Sequence, residues 1–150
     1  VNWGELDYLI VDLPPGTGDE PLSILQLLPN ITGVVIVTTP QEVALLDVRK
    51  SITMVKEMQT RVLGIVENMS GFICPECGYE VKIFGTGGGR KASTDMSVPF
   101  LGSIPIDAVI TEDSDKGLPF VVQNAKSKAA EAFKEVTDNI RKQIEPGYKG

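Results

Sequence analysis

The segment Val62–Gly89, VLGIVENMSGFICPECGYEVKIFGTGGG, contains an apolar run, both cysteines of the chain and a glycine-rich turn. The run Val62–Val66 predicts a buried strand, because continuous apolar runs are typical of strands covered on both faces. The cysteines follow as Cys74-Pro75-Glu76-Cys77, and Gly85–Gly89 closes the segment. We interpret the rest of the chain as a scaffold that presents this cysteine loop, residues 70–85, together with a second loop near the start.

The spacing of Cys74 and Cys77 allows two thiolates to converge on one thiophilic metal ion. Pro75 would stiffen the loop, and Gly78 would allow a tight turn after the second thiol. A closed tetrahedral site needs four ligands, whereas the chain has two cysteines and no histidine. A second copy would bring an identical pair, and four cysteines suit zinc or an iron–sulfur cluster. The spacing therefore predicts a homodimer that shares a metal site through its cysteine loops.

Two other interpretations of the cysteine pair stay open, a redox dithiol and an incidental structural pair. Redox Cys-x-x-Cys motifs usually open a helix, whose N-terminus lowers the thiol pKa. Here Gly78 and the segment Tyr79–Phe84 follow, which favours a short extended return instead.

Length, composition and net charge limit the classes of protein to which the chain can belong. A chain of 150 residues with 42% hydrophobic and 23% charged residues predicts one globular domain, residues 1–150. The net charge of −6 gives no electrostatic case for nucleic acid or an anionic membrane as partner. No apolar run approaches the roughly 20 residues that span a bilayer. A metal-like thiol pair predicts a reducing, cytoplasmic setting, and a first residue of Val predicts that the chain is a piece of a longer protein.

Apolar runs alternate with helical patterns along the chain, which predicts an α/β fold with a parallel, doubly wound sheet and flanking helices. The predicted strands are Leu6–Val11, Gly33–Thr38, Arg61–Val66 and Phe100–Ile104. The predicted helices are Asp19–Leu28, Gln41–Gln59, Arg90–Met96 and Val122–Ile144, with a loop or short turn over Ala108–Pro119 and a frayed tail over Glu145–Gly150.

Two candidate ligand-binding positions follow predicted strands, where α/β sheets bind their ligands. Asp12 precedes a Pro-Pro-Gly loop, an arrangement in which P-loop ATPases hold magnesium and sense the γ-phosphate, with Gly16 offering its N–H. The alternative for Asp12 is an aspartate that caps a turn. Asn68 has an amide that can pair with an adenine edge, although a lone Asn there is more often a turn residue.

Taken together, these residues resemble the Mrp/ApbC/Nbp family of P-loop ATPases, which is related to MinD, ParA and the nitrogenase iron protein. The matching stretches are Asp7–Asp19, Thr39–Gln41, Glu67–Ser70, Cys74–Cys77, Phe84–Gly85 and Gly102–Asp107.

The resemblance implies a homodimer that holds a labile [4Fe–4S] cluster between two cysteine loops and transfers it to apo iron–sulfur client proteins, coupled to ATP and magnesium. By the same resemblance, Asp12 organises magnesium, Gly16 senses the γ-phosphate and Asn68 contacts adenine. Pro105, Ile106 and Asp107 would wall the base, and Cys74 and Cys77 would hold the metal.

One departure from the family is large, because no Gly-x-x-x-x-Gly-Lys-[Ser/Thr] motif occurs in the chain. The chain is therefore similar to the C-terminal portion of a family member. We expect it to bind ATP weakly, not to hydrolyse it alone, and to expose a sheet position and apolar helix faces. Two rival functions stay open: a zinc-bridged structural dimer without turnover, and a MinD/ParA-like positioning ATPase that acts on membranes or DNA.

Overall fold

A computed structural model of the chain describes residues 2–74 and 76–148. Its strands are β1 (Val34–Thr38), β2 (Val62–Glu67), β3 (Phe72–Ile73), β4 (Glu80–Val81) and β5 (Phe100–Ser103). Its helices are α1 (Asp19–Leu27), α2 (Glu42–Glu57), α3 (Gly88–Asp95), α4 (Ala108–Asp115), α5 (Phe120–Gln123) and α6 (Lys128–Ile144).

The main sheet has three parallel strands in the order β1-β2-β5. The central strand, β2, is buried at every position, as its apolar run predicts. A separate antiparallel pair, β3 and β4, forms the stem of the cysteine loop. Because β2 runs directly into this loop, the loop leaves the sheet at its carboxyl edge.

Helices cover both faces of the sheet, which confirms the predicted doubly wound α/β class. On one face, α2 and α3 pack against β2 in a core that includes Leu45, Ile52, Ile65 and Ala92. On the other face, α6 packs through Val136 against β2 and β5. The broad apolar stripe of α2 and the apolar face of α6, which includes Val136 and Ile140, account for these contacts.

The prediction of a strand at Leu6–Val11 is wrong. This segment has no regular secondary structure, and Ile10 is 88% exposed. A strand needs a hydrogen-bonded neighbour, and within the described residues the main sheet consists of β1, β2 and β5 alone. Among the described residues, Leu6–Val11 therefore pairs with no strand, although its apolar pattern is typical of one.

Two further predictions near the C-terminus need correction. The polar stretch expected to be a loop or short turn contains the eight-residue helix α4, because Asp107 caps this helix and its acidic Asp113 is buried against Asn124. The single helix expected over Val122–Ile144 is divided into α5 and α6, because Ser127 starts a new helix by accepting the Ala130 N–H at 3.1 Å.

The tail folds back instead of fraying. Tyr148 lies over the Arg141 guanidinium, with 4.0 Å from the guanidinium carbon to the ring centre, and its hydroxyl donates to Asp138. The last two residues of the expected tail, 149 and 150, lie outside the described residues.

Apolar side chains are exposed around β1 and α2, in line with the expected open sheet position. Val37 in β1 is 61% exposed, and Val43 and Leu46 of α2 are exposed as well. Among the described residues, no helix is both long and apolar enough to cross a membrane.

Candidate functional site

The cysteine loop is a short hairpin. Phe72 pairs with Val81 and Ile73 with Glu80 in the two-stranded stem. Beyond the stem, the Cys74 N–H donates to the Tyr79 carbonyl at 3.0 Å, and the Gly78 N–H donates to the Cys74 carbonyl at 2.9 Å. Gly78 has a φ of 71°, a conformation that glycine adopts without strain. The extended return after the second cysteine is therefore confirmed in its first residues, whereas Pro75 lies outside the described residues.

Both thiols are free, with Cys77 exposed and Cys74 half-buried at the end of the stem. Hydrogen bonds from the backbone of Cys77 and of Glu76, and then from the Cys77 side chain, lower the pKa of Cys74. The loop thus favours the thiolate, which is the form of cysteine that binds metals. Among residues 2–74 and 76–148, no group of three or more Cys, His, Asp or Glu side chains is arranged to hold a metal ion.

At the base of the loop lies a buried carboxylate that the sequence reasoning missed. Glu67, the last residue of β2, is fully buried and accepts hydrogen bonds from Ser70, Gly87 and Gly89. One signal could have revealed it, since a glutamate that ends a wholly apolar strand must find donors when it is buried. The glycine-rich turn supplies two of them.

The residues expected to surround adenine lie beside the cysteine loop. The Ser70 N–H donates to the Ile104 carbonyl at 2.9 Å, and the Ile106 N–H donates to the Gly71 carbonyl at 2.7 Å. Asn68 precedes Ser70 by two residues, and Pro105 lies between Ile104 and Ile106. The structure therefore brings the two predicted segments together at the carboxyl edge of the sheet.

The side chains of these segments have local partners. Asn68 Oδ1 accepts the Met69 N–H at 2.9 Å, which is the behaviour of a turn residue. Asp107 Oδ1 accepts the Val109 N–H at 3.0 Å and caps α4. Their roles toward a nucleotide stay predictions.

Asp12 and Gly16 lie on the exposed segment before α1. Within the described residues, no hydrogen bond joins either of them to Asn68 or to residues 105–107. Thr17, next to Gly16, instead lines an open cavity of about 640 Å³ along α2. The phosphate-sensing role of Asp12 and Gly16 is therefore a prediction that these contacts leave unsupported.

The parallel sheet with helices on both faces is that of the P-loop nucleotide-binding α/β proteins, here with a cysteine hairpin at the carboxyl edge of the central strand. The sequence model of one family within this class, described as "ParA: NUBPL iron-transfer P-loop NTPase", matches residues 1–141. The chain belongs to this family.

Named relatives agree with this assignment. The chain is 54% identical over 145 residues to the iron–sulfur cluster carrier protein of Methanocaldococcus jannaschii, covering 97% of the chain and 49% of the relative. It is 51% identical over 145 residues to the protein of the same name from Saccharolobus solfataricus, with the same coverage. The chain spans about half the length of these relatives.

Solved structures show the same fold. A nucleotide-binding protein from Archaeoglobus fulgidus in complex with ADP is 49% identical, with a TM-score of 0.68 over 77% of this chain and 47% of that one. MinD from Pyrococcus horikoshii with Mg-ADP is 26% identical, with a TM-score of 0.70 over 94% of this chain and 53% of that one. The sequence is thus nearer to the iron–sulfur carriers than to MinD.

Proposed function

We propose that this chain is the cluster-holding part of an ATP-dependent iron–sulfur cluster carrier. Its cargo would be a labile [4Fe–4S] cluster bound between Cys74 and Cys77 of two copies. The clients would be apo iron–sulfur proteins that accept the cluster. A reducing compartment such as the cytoplasm would keep both thiols available.

The observation that carries this proposal is the presentation of the thiol pair. Cys74 and Cys77 are free and are held at the end of a short hairpin. The exposure of Cys77 leaves that sulfur open to a second chain. Two sulfurs are half of the cysteine set that a [4Fe–4S] cluster needs, so a two-fold pair of chains would complete it. The exposed tip also suits a cargo that must be released to a client.

The nucleotide part of the function is proposed for the longer protein. Asn68 and Pro105–Asp107 offer an amide and a loop that together suit a purine base. Triphosphate binding normally depends on a glycine-rich phosphate loop, and the chain contains no such Walker A motif. We therefore expect these 150 residues to bind ATP weakly and not to hydrolyse it.

Cluster transfer tests the proposal directly. The chain is loaded anaerobically with iron and sulfide, separated from free metal, and mixed with an apo [4Fe–4S] enzyme whose activity reports cluster uptake. We expect activation that is lost in both Cys74→Ser and Cys77→Ser. Activation that is equal in the cysteine variants would contradict the proposal, because free iron and sulfide would then be the source. Tight zinc at about one ion per two chains, with no uptake of iron and sulfide, would favour the zinc-bridged structural dimer.

A further inference from the structure

Glu67 holds the two ends of the cysteine loop together. Its Oε1 accepts the Ser70 hydroxyl at 2.5 Å and the Gly87 N–H at 2.9 Å. Its Oε2 accepts the Gly89 N–H at 2.6 Å. Ser70 begins the loop, residues 70–85, and the two glycines follow its end. One side chain therefore bridges both ends of a loop whose tip holds the cysteines.

The backbone that carries the Glu67 carboxylate is held on both sides by neighbouring strands. Glu67 lies on the central strand, where its Cα is paired with Thr38 on one side and Ser103 on the other. Its own carbonyl accepts the Ile104 N–H at 2.8 Å. The side chain is fully buried, so these bonds do not compete with water. The position of the Glu67 carboxylate is therefore well defined, and it holds in place the three groups that donate to it.

The positive φ of Gly87 and the absence of a side chain at Gly89 allow both residues to lie close to the Glu67 carboxylate. Gly87 has a φ of 85°, which directs its N–H toward Glu67 in a conformation that glycine adopts freely. A Cβ on Gly89 would lie 3.1 Å from the Glu67 Cβ and 3.3 Å from Oε2. Any side chain at Gly89 would therefore press on the carboxylate. The glycine-rich turn thus lets two backbone N–H groups approach the carboxylate and donate to it.

The acceptor must be a carboxylate for the three bonds to form together. An ionised carboxylate only accepts hydrogen bonds, and three donors converge on its two oxygens. A glutamine of the same shape would turn an NH₂ group toward at least one donor. The substitution would thus lose one or more bonds and leave a buried donor unsatisfied.

We propose that Glu67 is a positioning residue that orders the cysteine loop and sets the relative placement of Cys74 and Cys77. The ordering of the loop follows from the three hydrogen bonds alone, whereas its effect on metal binding rests on the proposed function. A side chain that touches neither sulfur would then control how well the thiol pair binds a thiophilic ion. Replacing a residue that is hydrogen-bonded directly to a metal ligand commonly changes metal affinity by about tenfold or more, so Glu67, which acts through the backbone of the loop, should have a smaller effect.

The test uses three variants of the chain and one control. Glu67→Gln removes the carboxylate, Ser70→Ala removes only the bond at the start of the loop, and Ser70→Thr restores a hydroxyl there. The control is Asp113→Asn, which alters another buried carboxylate, in α4, whose side-chain hydrogen bond among the described residues is the one from Asn124 at 2.6 Å. Melting temperature, Zn²⁺ affinity by competition with a chromophoric chelator, and amide hydrogen exchange over residues 70–87 are measured for each.

We expect Glu67→Gln to weaken Zn²⁺ binding by up to about tenfold and Ser70→Ala to weaken it less. Both should accelerate exchange over residues 70–87 more than in the rest of the chain, and Ser70→Thr should recover both properties. Asp113→Asn should lower the melting temperature while leaving Zn²⁺ affinity and loop exchange unchanged. If Glu67→Gln does not fold, the comparison of Ser70→Ala with Ser70→Thr decides.

Parent-like loop exchange in Ser70→Ala and Glu67→Gln would overturn the proposal, as would faster exchange spread evenly over the whole chain. Zn²⁺ affinity that is unchanged while the loop loosens would overturn the placement of the thiols by Glu67. If the cysteines of the parent chain bind neither Zn²⁺ nor, on anaerobic reconstitution with sulfide, iron, the proposed function fails, and loop exchange still decides whether Glu67 orders the loop.

Discussion

Oε2 of Glu67 accepts the backbone N–H of Gly89 at 2.6 Å, although the two residues are 22 positions apart in the sequence. The cysteine loop lies entirely between them. The contact joins the carboxyl end of the central strand to the start of α3, so the loop leaves and re-enters the domain at one point. The thiol pair is consequently attached to the most buried part of the sheet.

Gly88 should tolerate no side chain. A Cβ at this position would lie 2.1 Å from the Pro40 carbonyl oxygen, and that oxygen belongs to backbone that cannot move aside freely. We expect Gly88→Ala to lower the free energy of unfolding by about 2–3 kcal/mol or more, measured by urea denaturation. Gly18→Ala is the matched control, because its Cβ would meet only the flexible Glu20 carboxylate at 3.2 Å. Equal stability of the two variants would contradict the packing of α3 against this carbonyl.

Substitutions of Asp107 should separate its role as the cap of α4 from any contact that its carboxylate makes with a nucleotide. Its Oδ1 accepts the Val109 N–H at the start of α4. Asp107→Ala should cost about 1 kcal/mol of stability, whereas Asp107→Ser, which keeps a cap, should cost less. In a full-length relative, a nucleotide affinity that falls equally in both variants would indicate that the carboxylate contacts the nucleotide. Loss of affinity only in the alanine variant would indicate that the cap alone matters.

The C-terminal tail should contribute stability that depends on pH. The bonds from Lys134 and Tyr148 hold the pKa of Asp138 below its ordinary value of 3.8. A carboxyl with a lowered pKa in the folded state stabilises the fold above its unfolded pKa and loses this effect as the pH falls through its folded pKa. We expect Asp138→Asn to lower the melting temperature by a few degrees at neutral pH. That difference should shrink below about pH 3.8.

Tyr148→Phe provides the control for this prediction, because it removes one donor to Asp138 and leaves the lysine pair at 2.6 Å in place. It should give a smaller change of the same sign. A difference between parent and Asp138→Asn that grows on acidification would contradict the lowered pKa of Asp138. Melting temperatures that are equal for parent and Tyr148→Phe would contradict a stabilising contact from the tail.

Asp12 should act on nucleotide chemistry and not on the metal. In a full-length relative, replacing the residue that matches Asp12 by alanine should strongly reduce magnesium-dependent ATP hydrolysis, since the carboxylate would organise the hydrated ion. Metal binding by the cysteine pair should stay close to that of the parent. Phosphate release and metal content, measured on the same preparation, check both. Equal loss of both activities would mean that the residue has a structural role.

The sequence allowed the sheet and its covering helices to be predicted because buried parallel strands leave long apolar runs, as in β1 and β2. The same logic failed at Leu6–Val11, since an apolar run specifies a strand only when a neighbouring strand is present to pair with it. The acidic stretch that contains α4 was misread because Asp113 and Asp107 are used in a buried contact and a cap. Charge alone does not distinguish these uses from a solvated loop.

The candidate site was predicted in part. The spacing of Cys74 and Cys77 pointed to a hairpin, and the structure has one. Glu67 escaped prediction because two of its three donors are main-chain N–H groups, those of Gly87 and Gly89. Every residue except proline has such a group, so the sequence does not mark which of them will bind a carboxylate. Only the structure shows that the end of β2, Ser70 and the glycine-rich turn lie in contact.

The most direct measurement is anaerobic reconstitution with iron and sulfide, followed by metal analysis and the oligomer mass of the same fraction. We expect about four irons per two chains, with both the iron and the dimer lost in Cys74→Ser and in Cys77→Ser. A full complement of iron on a single chain, or a dimer that binds no iron while its cysteines are reduced, would contradict a cluster shared between two cysteine loops.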